Sequence, residues 1–176
     1  YLESINYNKK IIYIGRLDPI KRPDLLVRAL RHTTSGTIAI IGKGRPEDYQ
    51  RIQTIIDHEH LSDRCEVLGY LAEDKLLAEL ANCRAVFYAP VDEDYGYTTI
   101  EAFLAKKPVI TCHDSAQITT FVKQTGSGFV SETNPKAIAS NMQKVYDMSE
   151  KELTTLTEKG YQVAKEITWE KVLKNL

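Results

Sequence analysis

The chain has 176 residues, of which 43% are hydrophobic and 27% are charged, and its formal net charge is −1. This length is enough for one domain with a full core, and the near-neutral charge argues against nucleic acid as a partner. No apolar run approaches the roughly 20 residues that span a bilayer, and no signal-peptide pattern is present. Cys65, Cys83 and Cys112 lack paired spacing, which predicts reduced thiols and a cytoplasmic location. The abrupt polar start indicates a fragment.

Short β-rich apolar runs alternate with amphipathic segments along the chain. Strands are predicted at 11–14, 37–41, 65–68, 85–89, 108–111 and 129–130. Helices are predicted from Pro23, around 49–56, around 76–80, over 98–105 and from Asn134 onward. This order predicts an α/β fold: a doubly wound, mostly parallel, six-stranded sheet of the Rossmann-like type. Ligands of such sheets bind outside the carboxyl ends of the strands.

The loop after the first strand is rich in cations. Arg16, Lys21 and Arg22 lie between Gly15 at the strand end and Pro23 at the helix start. Free N–H groups and the helix dipole already favour an anion at such a place, so the loop is suited to a diphosphate. The alternative is that these are ordinary solvated loop charges.

The loop after the second strand contains a Gly-Lys-Gly turn, at 42–44. It is similar to the beginning of a dinucleotide fingerprint, but the third glycine and the acidic residue that follows the next strand are absent. A tight turn between strand and helix explains these glycines better than a dehydrogenase site does.

The segment between the fourth strand and the next helix, residues 90–101, is the richest in functional groups. Glu93 lies in the loop, and Glu101 falls in the first turns of the helix, facing the same crevice. Carboxylates accept hydrogen bonds from polyols, and the N–H groups near Gly96 to Thr98 suit phosphate or sugar oxygens. We interpret Gly96 as allowing close approach of a ligand. The alternative is a helix start whose acidic residues complement the dipole.

A metal site is a weaker interpretation of the same segment. Asp92, Glu93 and Asp94 are hard oxygen ligands, but a cage needs more of them, and the cations of the first loop already neutralise a diphosphate. The four histidines are not arranged as zinc ligands, and no serine or cysteine nucleophile motif is present. We therefore predict no metal.

Together these stretches resemble the donor-binding, carboxyl-terminal half of the GT-B glycosyltransferases of retaining group 1, or family 4. The most specific feature is Glu93 and Glu101 with seven residues between them, within Glu-Asp-Tyr-Gly-Tyr-Thr-Thr-Ile-Glu-Ala. Gly15-Arg16-Leu17 with Lys21, the glycine turn at 42–44 and Val67-Leu68-Gly69-Tyr70 support it. The likeness runs from about Lys10 to Trp169.

The resemblance implies that residues 1–176 form one nucleotide-sugar-binding domain, and that an amino-terminal domain for a saccharide or lipid-linked acceptor is missing. Arg16 and Lys21 would hold the diphosphate, Glu93 a hydroxyl of the donor sugar and Glu101 the ribose. The implied catalytic residues are Glu93, Arg16 and Lys21. The implied donor-binding residues are Gly15, Arg16, Lys21, Gly69, Tyr70, Glu93, Tyr95, Gly96, Tyr97, Thr98 and Glu101.

The family further implies a UDP- or GDP-linked donor, no cofactor, no bound metal, a role in polysaccharide assembly, and peripheral membrane contact of the longer enzyme as an option. Three departures stand out: Asp114-Ser115-Ala116-Gln117 and Thr120 replace a Gly-Gly turn and a Glu, Lys106 replaces a helix-ending glycine, and the acceptor domain is absent. Two alternatives remain: a binding or regulatory module without transfer activity, and a sugar-nucleotide epimerase.

Overall fold

The computed structural model describes residues 9–91, 93 and 95–167. Within them, six strands form one sheet. Their bounds are β1 Lys10–Ile14, β2 Thr37–Ile41, β3 Cys65–Gly69, β4 Ala85–Phe87, β5 Val109–Cys112 and β6 Gly128–Ser131. The strand order is β3-β2-β1-β4-β5-β6 and every pairing is parallel, so the predicted doubly wound sheet is confirmed.

Seven α-helices accompany the strands in the described part of the chain. They are α1 Pro23–Leu30, α2 Pro46–His58, α3 Glu73–Asn82, α4 Tyr97–Leu104, α5 Ala116–Thr125, α6 Pro135–Asp147 and α7 Glu150–Lys165. Three of them have Pro in the first turn, where its missing N–H costs nothing and its fixed φ suits a helix. α7 begins with a capping box between Ser149 and Glu152.

The core lies on both faces of the sheet, as the apolar strand runs predict. Along β1, Ile11 and Tyr13 pack into the cluster beneath α1, α2 and α6, whereas Ile12 and Ile14 pack into the cluster beneath α3, α4, α5 and α7. All four are nearly or fully buried, and each such side chain contributes about 1.5–3 kcal/mol relative to exposure. The central strand therefore anchors the loops that leave its carboxyl end.

The structure corrects several predicted boundaries. β4 ends at Phe87, two residues before the predicted Ala89, and β5 begins and ends one residue later than predicted. The sequence patterns did not predict α5, because its segment is rich in β-branched residues. Its buried positions include Ile118 and Val122, four residues apart on one helical face, so packing against the sheet determines the helix.

Candidate functional site

The loops after β1, β2 and β3 are joined to one another by main-chain hydrogen bonds. The Gly15 N–H donates to Ile41 O at 3.0 Å, and the Gly42 N–H donates to Gly69 O at 2.8 Å. Gly42 has a φ of +149°, and a Cβ there would lie 1.7 Å from Gly15 O. Only glycine fits at this contact, so these loops form a fixed floor at the carboxyl edge of the sheet.

Arg16 extends from this floor towards solvent. Its side chain is 70% exposed, and its Nε lies 3.3 Å from an Asp18 carboxylate oxygen. Together with Lys43 and Arg45 it borders a cavity of about 220 Å³. Arg16 therefore offers an exposed cation at the edge, and within the described part of the chain no ion pair or hydrogen bond joins its side chain to Lys21 or Glu93.

Lys21 and Glu93 meet directly, although 72 residues separate them in sequence. The Lys21 ammonium donates to Glu93 Oε2, and both side chains are largely shielded, at 18% and 22% exposure. The hydrogen bond and charge of Lys21 lower the pKa of Glu93, which keeps its carboxyl ionised. Tyr88 donates a second hydrogen bond to the same oxygen at 3.3 Å.

The beginning of α4 lies beside this pair. Gly96 is its N-cap with a φ of +58°, and a Cβ there would lie 2.6 Å from an Ile118 side-chain carbon. This glycine therefore makes room for α5, and its role in the approach of a ligand stays a prediction. Tyr95 and Tyr97 flank it, with rings stacked at a centroid distance of 5.7 Å. Thr98, in the first turn of α4, offsets part of the rise in the pKa of the Tyr88 phenol.

Glu101 borders a largely apolar cavity of about 400 Å³ between α3 and α4, which also includes Ile14, Leu76 and Leu104. Desolvation raises the pKa of its carboxyl above the ordinary value, although the residue as a whole is exposed. Glu101 also makes a lesser electrostatic contribution to the raised pKa of Tyr88. Glu73 also borders this cavity, so two carboxylates at the border of an apolar cavity can accept hydrogen bonds from the hydroxyl groups of a ligand whose remainder is flat and weakly polar.

Gly69 and Tyr70 occupy the loop after β3. Gly69 has a φ of +66°, and the exposed Tyr70 ring lies beneath Lys43 Nζ at 4.1 Å from the ring centroid. This cation–π contact joins the second and third loops in addition to their backbone hydrogen bond.

The loop after β5 departs from the family pattern, and it is held by side chains. Arg22 donates two hydrogen bonds to the Asp114 carboxylate at 2.8 and 2.7 Å, and Thr133 donates a third at 3.0 Å. These bonds, above all those from Arg22, lower the pKa of Asp114 to about 2. The Asp114 carboxylate is therefore engaged with the protein itself.

Two of the departing residues occupy conformations that favour glycine. Ala116 has a φ of +43° and Lys106 a φ of +54°. Both therefore adopt the left-handed backbone that an L side chain disfavours. These two positions therefore have the backbone conformation that the glycines expected from the resemblance would adopt most easily.

The structure thus brings Lys21 and Tyr88 together on one oxygen of Glu93, beside the start of α4, the helix that carries Thr98 and Glu101. Arg16, Gly69 and Tyr70 lie on the neighbouring loops. Sequence reasoning did not identify Tyr88 or Asp114 as partners. A hydroxyl residue at the end of a buried strand was the available signal for Tyr88.

Within residues 9–91, 93 and 95–167, no three His, Cys, Asp or Glu side chains are grouped as metal ligands. Asp92 and Asp94, named in the metal alternative, lie outside the described residues, as does Trp169. Among the described helices, none combines the length and apolar character that a membrane span requires.

The fold is that of a doubly wound α/β domain, a class of protein whose ligands bind at the carboxyl edge of the sheet. Residues 3–163 match the family model described as "Glycosyl transferases group 1". The chain belongs to this family.

Relatives and solved structures agree with that assignment. The GPI3 subunit of phosphatidylinositol N-acetylglucosaminyltransferase from Saccharomyces cerevisiae is 25% identical over 148 residues, which cover 79% of this chain and 33% of that protein. Anabaena HepE, solved with UDP and glucose, superposes with a TM-score of 0.82 at 20% identity over 98% of this chain and 50% of its own. The chain thus spans between a third and a half of these relatives.

Two further structures share the fold. Sucrose-phosphate synthase from Thermosynechococcus elongatus has a TM-score of 0.85 at 20% identity, over 98% of this chain and 44% of its own. The catalytic domain of the Helicobacter pylori cholesterol-alpha-glucosyltransferase has a TM-score of 0.75 at 18% identity, over 90% of this chain and 98% of its own.

Proposed function

We propose that this chain is the donor-binding domain of a retaining glycosyltransferase, which moves a sugar from a UDP- or GDP-linked donor to a saccharide or lipid-linked acceptor. The observation that carries the proposal is the contact between Lys21 and Glu93 beside the start of α4. A cation for phosphate and a carboxylate for sugar hydroxyls are the two groups that such a donor requires.

Each predicted residue has a physical role in this proposal. Lys21 and the exposed Arg16 approach the diphosphate, whose developing charge they stabilise as it leaves. Glu93, kept ionised by its neighbours, accepts a hydrogen bond from a sugar hydroxyl near the reacting carbon. Glu101 accepts hydrogen bonds from the ribose, and the loop at Gly69 and Tyr70 lies against the base. These roles need neither metal nor cofactor.

Family membership supports the transfer reaction, and the names of similar proteins narrow the donor. HepE was solved with UDP and glucose, and GPI3 is named for transfer of N-acetylglucosamine. A UDP-linked hexose is therefore the first donor to test. Retention of configuration, polysaccharide assembly and a cytoplasmic location belong to the same proposal. The last is supported by three free, buried cysteines, whose pKa values burial raises to about 11 or 12.

Calorimetric titration of the chain with UDP-glucose, UDP-N-acetylglucosamine, GDP-mannose and ADP-glucose tests the proposal. We expect saturable binding of at least one donor at micromolar to millimolar concentration, and a loss of about tenfold or more in Lys21→Met, because the cation faces the diphosphate. The matched control is Lys151→Met, an exposed lysine in α7. A folded sample that binds none of the four donors at millimolar concentration would contradict the proposal.

A non-catalytic binding module is the second candidate, and the loop at Ala116 favours it. Side chains stand there where the family carries bare glycine, while the backbone conformation is still the one glycine prefers. An assay of donor consumption by the full-length protein distinguishes the two, because a binding module leaves the sugar nucleotide intact.

A further inference from the structure

We propose that Tyr88 is a positioning residue that fixes the orientation of the Glu93 carboxylate for the donor sugar. This inference rests on the proposed function for its substrate, but its structural basis is independent of it. Tyr88 lies one residue beyond β4, with 6% of its surface exposed. Its ring is thus held by the core, while its hydroxyl lies within hydrogen-bond distance of Glu93.

The geometry at Glu93 distinguishes two kinds of partner. Lys21 and Tyr88 both donate to the same oxygen, Oε2. Lys21 is a flexible cation at the end of a short 3-10 helix, Pro19–Lys21, and can follow an anion. Tyr88 is a neutral donor with two side-chain torsions, and the core restricts both.

A diphosphate changes the balance between these partners. Its negative charges attract the Lys21 ammonium, which weakens the bond from Lys21 to Glu93. The Tyr88 hydroxyl carries no charge and stays where it is. In the donor complex, Tyr88 therefore becomes the partner that keeps the Glu93 carboxylate aimed at the sugar.

The hydroxyl is itself oriented by its surroundings. Burial and the adjacent Glu93 raise the pKa of Tyr88 above its ordinary range, so the phenol keeps its proton and remains a donor. Among the described residues, the hydrogen bond that this hydroxyl makes is the one it donates to Glu93 Oε2.

The test compares Tyr88→Phe with Tyr146→Phe. Tyr146 is also buried, at 1% exposure against 6% for Tyr88, and donates to the Thr37 backbone oxygen at 2.9 Å at the opposite edge of the sheet. Each substitution therefore deletes one buried hydroxyl and one hydrogen bond, but only Tyr88→Phe touches Glu93.

Two measurements are made on the folded variants. The first is the Glu93 carboxyl pKa in the free chain, followed by carbon NMR; Tyr88→Phe should raise it, because a bond to the charged form is lost. The second is the ratio of the dissociation constants for UDP and UDP-glucose. Tyr88→Phe should weaken UDP-glucose about five- to tenfold and leave UDP unchanged, since only the sugar needs Glu93.

The outcomes separate this inference from the proposed function. If the unaltered chain binds no sugar nucleotide, the proposed function fails. If the Glu93 pKa is the same in Tyr88→Phe as in the unaltered chain, the positioning role of Tyr88 is overturned, whether or not a donor binds. Equal losses for UDP and UDP-glucose would overturn it as well, because they indicate a general structural effect. Tyr88→Met provides a second hydroxyl-free variant if the phenylalanine variant does not fold.

Discussion

The two halves of the carboxyl edge are built by different means. The loops after β1, β2 and β3 are joined mainly through backbone hydrogen bonds at Gly15, Gly42 and Gly69. The loops after β4 and β5 are held by side-chain charges, Glu93 with Lys21 and Asp114 with Arg22. The first half therefore depends on the absence of Cβ atoms, and the second on ionisation. At one edge of the sheet, loops held by backbone hydrogen bonds thus lie beside loops whose ion pairs depend on the charge of their surroundings.

The largest effect is expected in the glycine half. Gly42→Ala places a Cβ 1.7 Å from the Gly15 carbonyl oxygen at a φ that alanine rarely adopts, so the loops after β1 and β2 must move apart. Overpacking and backbone strain together predict a loss of about 3 kcal/mol or more in the free energy of unfolding. Chemical denaturation followed by circular dichroism measures it.

The matched control is Gly126→Ala. Gly126 also has a positive φ, +66°, but a Cβ there would meet nothing within 4 Å. Gly126→Ala should lower the free energy of unfolding by only about 1 kcal/mol, because it adds backbone strain without a steric clash. Equal losses in both variants would show that the close approach at Gly42 does not constrain the floor.

The next effect concerns Arg16, the exposed cation of the glycine half. If it approaches the diphosphate, Arg16→Ala should weaken UDP about tenfold, equivalent to about 1.4 kcal/mol, and leave uridine unaffected. Arg28→Ala, an exposed arginine in α1, is the control. Calorimetric titration decides, and equal losses for UDP and uridine would refute the predicted role.

The charged half should respond to Asp114→Asn. A carboxylate that accepts two hydrogen bonds from Arg22 is replaced by a neutral amide, which should destabilise the fold by about 1 kcal/mol after allowance for the 36% exposure of Asp114. Asp63→Asn, at an exposed site after α2, should change the free energy of unfolding much less.

The same variant should alter the response to acid. The folded pKa of Asp114, about 2, lies below the unfolded value, so its contribution is fully present above roughly pH 5 and is lost as pH falls towards 2. Asp114→Asn should reduce the slope of stability against pH in that window. Part of the slope of stability against pH should remain in this variant, because Arg51 and Arg45 also lower the pKa of Asp48. An unchanged slope would contradict the assigned ion pair.

The smallest effect is expected where the family glycine is missing. Ala116 has a φ of +43°, so Ala116→Gly should relieve backbone strain in the folded state. Glycine also raises the conformational entropy of the unfolded chain, which offsets part of this gain, so we expect a net stabilisation of about 0.5 kcal/mol. The melting temperature should rise slightly. A decrease would mean that the alanine methyl group makes a packing contact worth more than the strain.

The sequence predicted six strands in a doubly wound sheet that is buried on both faces, because continuous apolar runs such as 11–14 and 37–41 are typical of strands buried on both faces. It did not predict α5. The local preference of Ile118, Thr119 and Thr120 is for strand, and only contacts with distant elements reverse it.

The candidate site was predictable in position but not in its internal contacts. Carboxyl ends of parallel strands share one edge, so Lys21 and Glu93 were expected on the same side. That the two would pair with each other depends on side-chain directions across 72 residues, which no local pattern encodes. The Arg22–Asp114 pair, 92 residues apart, was missed for the same reason.

The contact between Lys21 and Glu93 also bears on turnover under the proposed function. To bind the Lys21 ammonium, the nucleoside diphosphate must break the ion pair that Lys21 forms with Glu93. The loss of this ion pair offsets part of the attraction between Lys21 and the diphosphate. When the spent nucleotide departs, the two side chains re-form their pair, which favours product release. The Glu93 carboxylate thus competes with the nucleotide product for Lys21, and the re-formed pair is the state that the next donor meets.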